Sequence, residues 1–306
     1  MDRILVIRGG AIGDFVLTLP AIKLLRDAWP NARLEILGYK HIVALAEHRG
    51  YADETRSIEY GALSSFFAKG ADLPAELVAY FGSFDLIVSY LFDPDGIFEA
   101  NLRRCGPMQI VVGPAKLGPN EHAALQLARP LASLGLRTAI APPQLFPSEQ
   151  DHAAAALLLA GDAEKMIAIH PGSGSATKNW PMANWIAVAE RLLSGRQRLV
   201  VIGGEADEPQ MVQLRRAWSS MAVRYVINEP LPIVAAVLAR CDAFIGHDSG
   251  ISHIAAAVAT PSVLLFGSTN PRVWAPQNSN VRILHAASGA MSDVAVADVL
   301  AALATS

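Results

Sequence analysis

Three stretches in the second half of the chain place glycine and polar side chains directly after apolar runs. The first is Ile169-His170-Pro171-Gly172-Ser173-Gly174-Ser175-Ala176-Thr177-Lys178-Asn179-Trp180-Pro181. Gly172 and Gly174 permit close backbone approach, Ser173 and Ser175 add hydroxyls, and Lys178 adds a point charge. That set suits a pyrophosphate held between loop and lysine, although a plain surface loop between strand and helix uses the same residue types. The second is Val200-Val201-Ile202-Gly203-Gly204-Glu205-Ala206-Asp207-Glu208. Asp207 and Glu208 stand where acids accept hydrogen bonds from ribose hydroxyls, or where first-turn acids complement a helix dipole. The third runs from Arg240 to Trp274. In it Ala243–Gly246 reads as a strand, His247–Gly250 as a polar turn, Ile251–Ala259 as a helix stopping before Pro261, and Ser262–Phe266 as another strand. Asp248 and Ser249 occupy an N-cap position, followed by Gly250. A helix start with unbonded N–H groups is an anion site. Gly267-Ser268-Thr269 adds further donors at the next strand end.

One more constellation lies near the start, Arg8-Gly9-Gly10-Ala11-Ile12-Gly13-Asp14. It is not the dinucleotide fingerprint. A G-x-G-x-x-G frame ending at Gly13 needs glycine at Arg8, and Glu35 lies inside the following strand rather than at its end. A Walker A spacing is also absent. On local sequence alone, Asp14 reads as an acid at a helix N-terminus.

The elements around these motifs alternate. Strands are expected at 4–7, 34–38, 84–90 and 109–113, with helices at 15–28, 41–48, 97–104 and 122–134. Residues 55–75 are harder: Ile58-Glu59-Tyr60 reads as a short strand, and Phe66-Phe67 as either loop-exposed or packed under a loop. A linker is expected over 137–148, which carries Pro142, Pro143 and Pro147. Beyond it come a helix at 152–159, a strand at 166–170, a helix at 185–193, a strand at 199–203, a helix at 210–219, a strand at 223–228 and a helix at 231–240. This alternation predicts two doubly wound α/β domains. They span 1–145 and 146–290, and the stretch 291–306, with a helix at roughly 292–304, is left to pack back on the first domain.

At 306 residues the chain exceeds one typical core, and 52% hydrophobic with 17% charged residues suits buried parallel strands. A net charge of −3 argues against a nucleic-acid partner. Cys105 and Cys241 lack metal-ligand spacing and read as buried thiols in a reducing compartment. Ile4-Leu5-Val6-Ile7 enters a strand with no secretory h-region ahead of it, and no apolar run has the length of a membrane span. A soluble cytoplasmic protein is expected, with peripheral contact at the inner membrane left open.

Taken in order, five groups of residues resemble glycosyltransferase family nine, the ADP-heptose:lipopolysaccharide heptosyltransferases and their relatives. They are Gly10-Ala11-Ile12-Gly13-Asp14 with Leu17-Thr18-Leu19-Pro20-Ala21; His170-Pro171-Gly172-Ser173 with Lys178-Asn179-Trp180-Pro181; Gly203-Gly204; Asp248-Ser249-Gly250-Ile251-Ser252-His253-Ile254-Ala255-Ala256; and Phe266-Gly267-Ser268-Thr269-Asn270-Pro271. The resemblance implies a GT-B fold, two Rossmann-like domains facing a central cleft, with the acceptor on the N-terminal domain and the nucleotide sugar on the C-terminal one. It implies inverting transfer without metal or other cofactor. The donor would be a nucleotide-diphosphate sugar, ADP-heptose first, and the acceptor a glycan or lipid-linked saccharide of the lipopolysaccharide core. It makes Asp14 the general base that takes the acceptor proton, Lys178 the cation that meets the leaving phosphates, and Asp248 a contact to the donor sugar. Gly13, Gly172, Ser173, Gly174, Asp207, Glu208, Ser249, Gly250, Ile251, Ser252 and His253 complete the donor-binding set. Of these, residues 250–252 offer N–H groups, and His253 either supports the site from behind or is a packed core histidine.

The chain also departs from the family pattern. Gly9 and Gly10 stand where some heptosyltransferases carry Ser or Thr, which removes a possible phosphate contact. Lys40, Arg49, Arg56 and Lys69 are scattered among Glu47, Asp53, Glu54, Glu59 and Asp72, so no basic cluster awaits a phosphorylated acceptor. Two other classes fit the same residues: a sugar-nucleotide epimerase or hydrolase of this fold, and a non-catalytic nucleotide- or glycan-binding relative.

Overall fold

The computed structural model describes residues 1–305 except 115, 138, 161–164, 196 and 220–222. The chain divides into two units, Met1–Ala141 and Pro142–Ser306.

In the first unit, strands β1 (Arg3–Arg8), β2 (Arg33–Gly38), β3 (Glu54–Ser57), β4 (Leu86–Ser89) and β5 (Gln109–Val112) form a parallel sheet ordered β3-β2-β1-β4-β5. Ile4 to Ile7 are wholly buried, because a central parallel strand is covered on both faces and so reads as an unbroken apolar run. Strand order reverses between β1 and β4, where Ile7 pairs with Ser89, and a ligand crevice belongs beyond the C-terminal ends of two such strands. The turn leaving β1 contains Gly10 at φ 97°, a conformation that costs glycine little. It leads into the helix Ile12–Ala28, which buries Phe15, Leu19, Ile22 and Leu25.

On one side of the sheet Phe66, Phe81, Phe84 and Phe98 cluster. Phe66 is fully buried while Phe67 is 49% exposed, so the pair divides between the two expected placements. Three local expectations shift. The edge strand is Glu54–Ser57 rather than 58–60. The helix after β2 is only Lys40–Val43. A helix not expected from sequence, Ala75–Gly82, follows Pro74.

The second unit holds β6 (Met166–His170), β7 (Arg198–Gly203), β8 (Val223–Ile227), β9 (Ala243–His247), β10 (Ser262–Phe266) and β11 (Val281–His285), parallel and ordered β11-β10-β9-β6-β7-β8. Here the order reverses between β6 and β9. Its core gathers Trp180, Trp185, Trp218 and Met211 with the inward side chains of β6, β7, β9 and β10.

Both domain limits drawn from sequence move. The proline-rich segment starts the second unit at Pro142, because Leu145 N–H donates to Ala257 O (2.9 Å) and Asn278 Nδ2 to Pro143 O (2.9 Å). The last helix, Val296–Ala304, belongs to the second unit rather than returning to the first. Val299 and Ala302 are buried in that unit's core, the hydrophobic contact that fixes an amphipathic helix. Among the described residues no helix is long and apolar enough to cross a membrane.

Candidate active site

At the order reversal of the second unit His170 pairs with Gly246, and each strand runs into one of the polar loops. After β6 the loop ends in a single turn, Ala176–Lys178, before the helix Met182–Ser194. After β9 the helix Gly250–Ala257 begins at once. Lys178 Nζ donates to Asp248 Oδ2 at 2.6 Å, with side chains 30% and 10% exposed. One residue from each loop thus meets in a largely shielded ion pair. Asp248 does not cap the helix. Ser249 is the N-cap residue, and its side chain takes no backbone N–H of the first turn. Ser252 Oγ donates back to His247 O instead, and Ser249 Oγ lies 3.3 Å from Ser252 Oγ. The helix start at Gly250, Ile251 and Ser252 therefore keeps its donor character toward an anion.

The remaining donor-site candidates take different positions. An added Cβ on Gly172 would sit 1.6 Å from Asp207 Oδ1, so only glycine lets the β6 loop pass that carboxylate. Asp207 is buried, and its Oδ2 accepts the Gly204 N–H at 2.8 Å. Glu208 is exposed in the first turn of the helix Glu208–Ala217. Of the two ribose candidates, then, one lies against the loop after β6 and the other stands in solvent. A Cβ on Gly174 would meet nothing within 4 Å, so packing does not demand glycine there. Ser173 Oγ sits 2.6 Å from Asn179 Oδ1 and 2.7 Å from Ser175 O, closing the loop on itself. His253 is buried one turn into its helix.

His247, which sequence reasoning left as part of a polar turn, ties these loops together. Its Nε2 accepts the Trp180 backbone N–H at 2.8 Å, and its Nδ1 lies 3.2 Å from Gly172 O. A backbone N–H only donates and a carbonyl only accepts, so the ring is neutral with its proton on Nδ1. Burial is the main cause that lowers its pKa to about 3. Trp185 packs edge-on at 5.2 Å between ring centroids, and Trp180 Nε1 donates to Val294 O at 2.9 Å. The one signal in the sequence was a histidine closing an otherwise apolar strand. Because the folded pKa lies below the ordinary 6.5, protons favour the unfolded chain. The stability from neutral His247 is present in full above pH 6.5 and is lost as pH falls toward 3. Denaturant titrations at pH 7 and pH 5 should show wild type losing about 2 kcal/mol more than His247→Gln. Equal losses in both proteins would remove the histidine from this account.

In the first unit, Asp14 occupies the first turn of the helix leaving β1. Its Oδ2 accepts the Ala11 N–H at 3.0 Å, and its Oδ1 lies 3.6 Å from Arg8 Nη2, with the Asp14 side chain 36% exposed. Arg8 is held between the two strands of the order reversal, Nη1 donating to Tyr90 O and Nη2 to Asp14 O, each at 3.2 Å. Burial lowers the Arg8 pKa and the nearby Asp14 charge opposes that; a guanidinium stays charged at any working pH. Asp14 is therefore a helix-start acid, as its local sequence suggests, with about a third of its side chain exposed beyond the C-terminal end of β1. Gly13 lies beside it in the same first turn. Among the described residues no three His, Cys, Asp or Glu gather in a group that could hold a metal ion.

Two wholly parallel sheets, each reversing its strand order beside glycine-rich loops, give the chain the two-domain GT-B fold. The structure of Escherichia coli ADP-heptose LPS heptosyltransferase II superposes with a TM-score of 0.82, covering 100% of this chain and 98% of that one at 18% identity. The model of glycosyltransferase family 9 (heptosyltransferase) matches residues 121–303, and the chain belongs to that family. It is 24% identical over 305 residues to lipopolysaccharide heptosyltransferase 3 of Escherichia coli, covering 88% of this chain and 84% of that protein. It is 28% identical over 138 residues to lipooligosaccharide heptosyltransferase 2 of Haemophilus influenzae, a match spanning 44% of this chain and 40% of that protein's length. The protein is a glycosyltransferase.

Proposed function

We propose that the protein transfers a heptose from ADP-heptose to a saccharide of the lipopolysaccharide core, with inversion and without a metal or other cofactor. The observation that carries this reading is the Lys178–Asp248 pair beside an uncapped helix start and the Gly172–Gly174 loop. Those groups match the parts of a nucleotide sugar: N–H donors and a cation for the diphosphate, a carboxylate for the sugar hydroxyls. Asp207 and Glu208 lie on the loop that would meet the ribose. The named relatives support heptose as the sugar and ADP as its carrier.

In the chemical step the acceptor hydroxyl attacks the anomeric carbon from the face opposite the diphosphate. The new C–O bond forms as the bond to ADP breaks, which inverts the centre. Asp14 accepts the hydroxyl proton on its carboxylate, and the electron pair of the broken bond leaves on ADP. Lys178 and the helix start balance that charge, the role a metal ion plays in other transferases. A lipid-linked acceptor is amphiphilic, so the enzyme would meet it by peripheral contact at the inner face of the cytoplasmic membrane.

Calorimetric titration with ADP, UDP, GDP and CDP in EDTA tests the donor half. ADP should bind at least tenfold more tightly than the other three. Selective binding of another diphosphate replaces the donor and keeps the transferase. Binding of none removes the roles given to Lys178 and Asp248.

A further inference from the structure

A phosphorylated saccharide is recognised by arginine and lysine, whose charge and geometry match phosphate oxygens. In the first unit most such groups are already engaged. Arg26, Arg33, Arg103 and Arg129 are each ion-paired with a carboxylate of the same unit, and the Arg56 guanidinium lies over the Tyr80 ring at 4.2 Å. At the strand ends, exposed Lys40 after β2 is set against Glu59 after β3 and Asp95 after β4, both exposed. That rim has no positive excess to attract an anion.

It presents an aromatic ring instead. Phe92 is 61% exposed, two residues beyond Tyr90 in the loop leaving β4. The loop is held beside the candidate base. Arg8 bridges Tyr90 O and Asp14 O, and Leu91 packs on Gly9 so closely that a Cβ there would meet Leu91 Cδ2 at 3.1 Å. The loop is also fixed on its far side, where the Asp93 carboxylate accepts the Phe98 and Glu99 N–H groups at 3.2 and 2.9 Å. A large apolar side chain is thus kept in water by a loop pinned at both ends, one of them tied through Arg8 to the backbone of Asp14. Sugars carry an apolar C–H face that packs on such a ring.

Building on the transferase reading, we infer that the acceptor is an unphosphorylated saccharide unit that stacks on Phe92, and that this contact rather than charge selects it. The probe is one core oligosaccharide in two forms, as isolated with its phosphates and after chemical dephosphorylation, titrated against the ADP-loaded protein. The dephosphorylated form should bind at least as tightly as the phosphorylated one. Phe92→Ala should weaken its binding about tenfold and raise the acceptor KM in parallel, with kcat and the ADP Kd within twofold, and Phe92→Trp should restore binding. Fivefold tighter binding of the phosphorylated form, an unchanged Kd in Phe92→Ala, or no binding of either form would overturn the inference. A failure of the transferase reading shows separately, as absence of ADP binding and of ADP-heptose turnover in wild type.

Discussion

Asp14→Asn should lower kcat for glycosyl transfer by about 10²–10⁴-fold, the usual worth of a positioned general base, while ADP binds within twofold of wild type. The substitution is a clean one because Asp14 has two separable jobs. Its Oδ2 accepts the Ala11 N–H at the start of the helix, and the amide oxygen of Asn fills that role. The fold of the β1 turn should therefore survive. What Asn cannot do is accept a proton at the oxygen facing Arg8. Arg8 reaches the backbone carbonyls of Asp14 and Tyr90, so its position does not depend on the carboxylate alone. Wild-type turnover by the Asn variant would remove Asp14 as the base, whatever its place in the crevice.

Lys178→Ala should weaken ADP binding by about 10–10²-fold, the worth of one hydrogen bond between charged groups. Two effects add in this variant. The diphosphate loses its cation, and Asp248, only 10% exposed, is left as an uncompensated charge beside it. The double variant Lys178→Ala/Asp248→Asn separates them, since neutralising the carboxylate removes the second effect alone. It should bind ADP about tenfold more tightly than Lys178→Ala, although transfer stays low because the sugar has lost a carboxylate partner. Equal affinity in the single and double variants would mean that Asp248 does not face the diphosphate.

How far these sites could be read from sequence follows from where each signal is stored. The strands that flank both crevices, Ile4–Ile7 and Met166–His170, were legible because a strand covered on both faces must be apolar along its whole length. Of the outer strands, β5 and β8 were expected, but β3 and β11 were not. Glu54–Ser57 is entirely polar, and Val281–His285 sets exposed Arg282 and His285 among partly buried Val281, Ile283 and Leu284, since an edge strand shows one side to water and loses that pattern. The glycine loops and Lys178 were visible as residue types, but the use of Asp248 was not. Its position suggested an N-cap, and the ion pair with Lys178 took the side chain elsewhere. The bonds of His247 join it to residues 67 and 75 positions away, and no local pattern records such a pairing. Phe92 was visible only as part of a loop, because exposure is a property of the folded chain.

The strand order of the second unit also sets the timing of its assembly. β6 pairs on one side with β7, the next strand in sequence, but on the other with β9, after β7 and β8 have been placed outward. Closing that ladder requires the chain to return across the longest loop in the sheet, and contacts between distant segments form slowly. The β6–β9 junction carries Gly172, Lys178, His247 and Asp248 together, so these four residues meet only once that long-range pairing has formed. A chain that ends before β9 lacks His247 and Asp248, half of that junction, whatever the rest of the unit has formed.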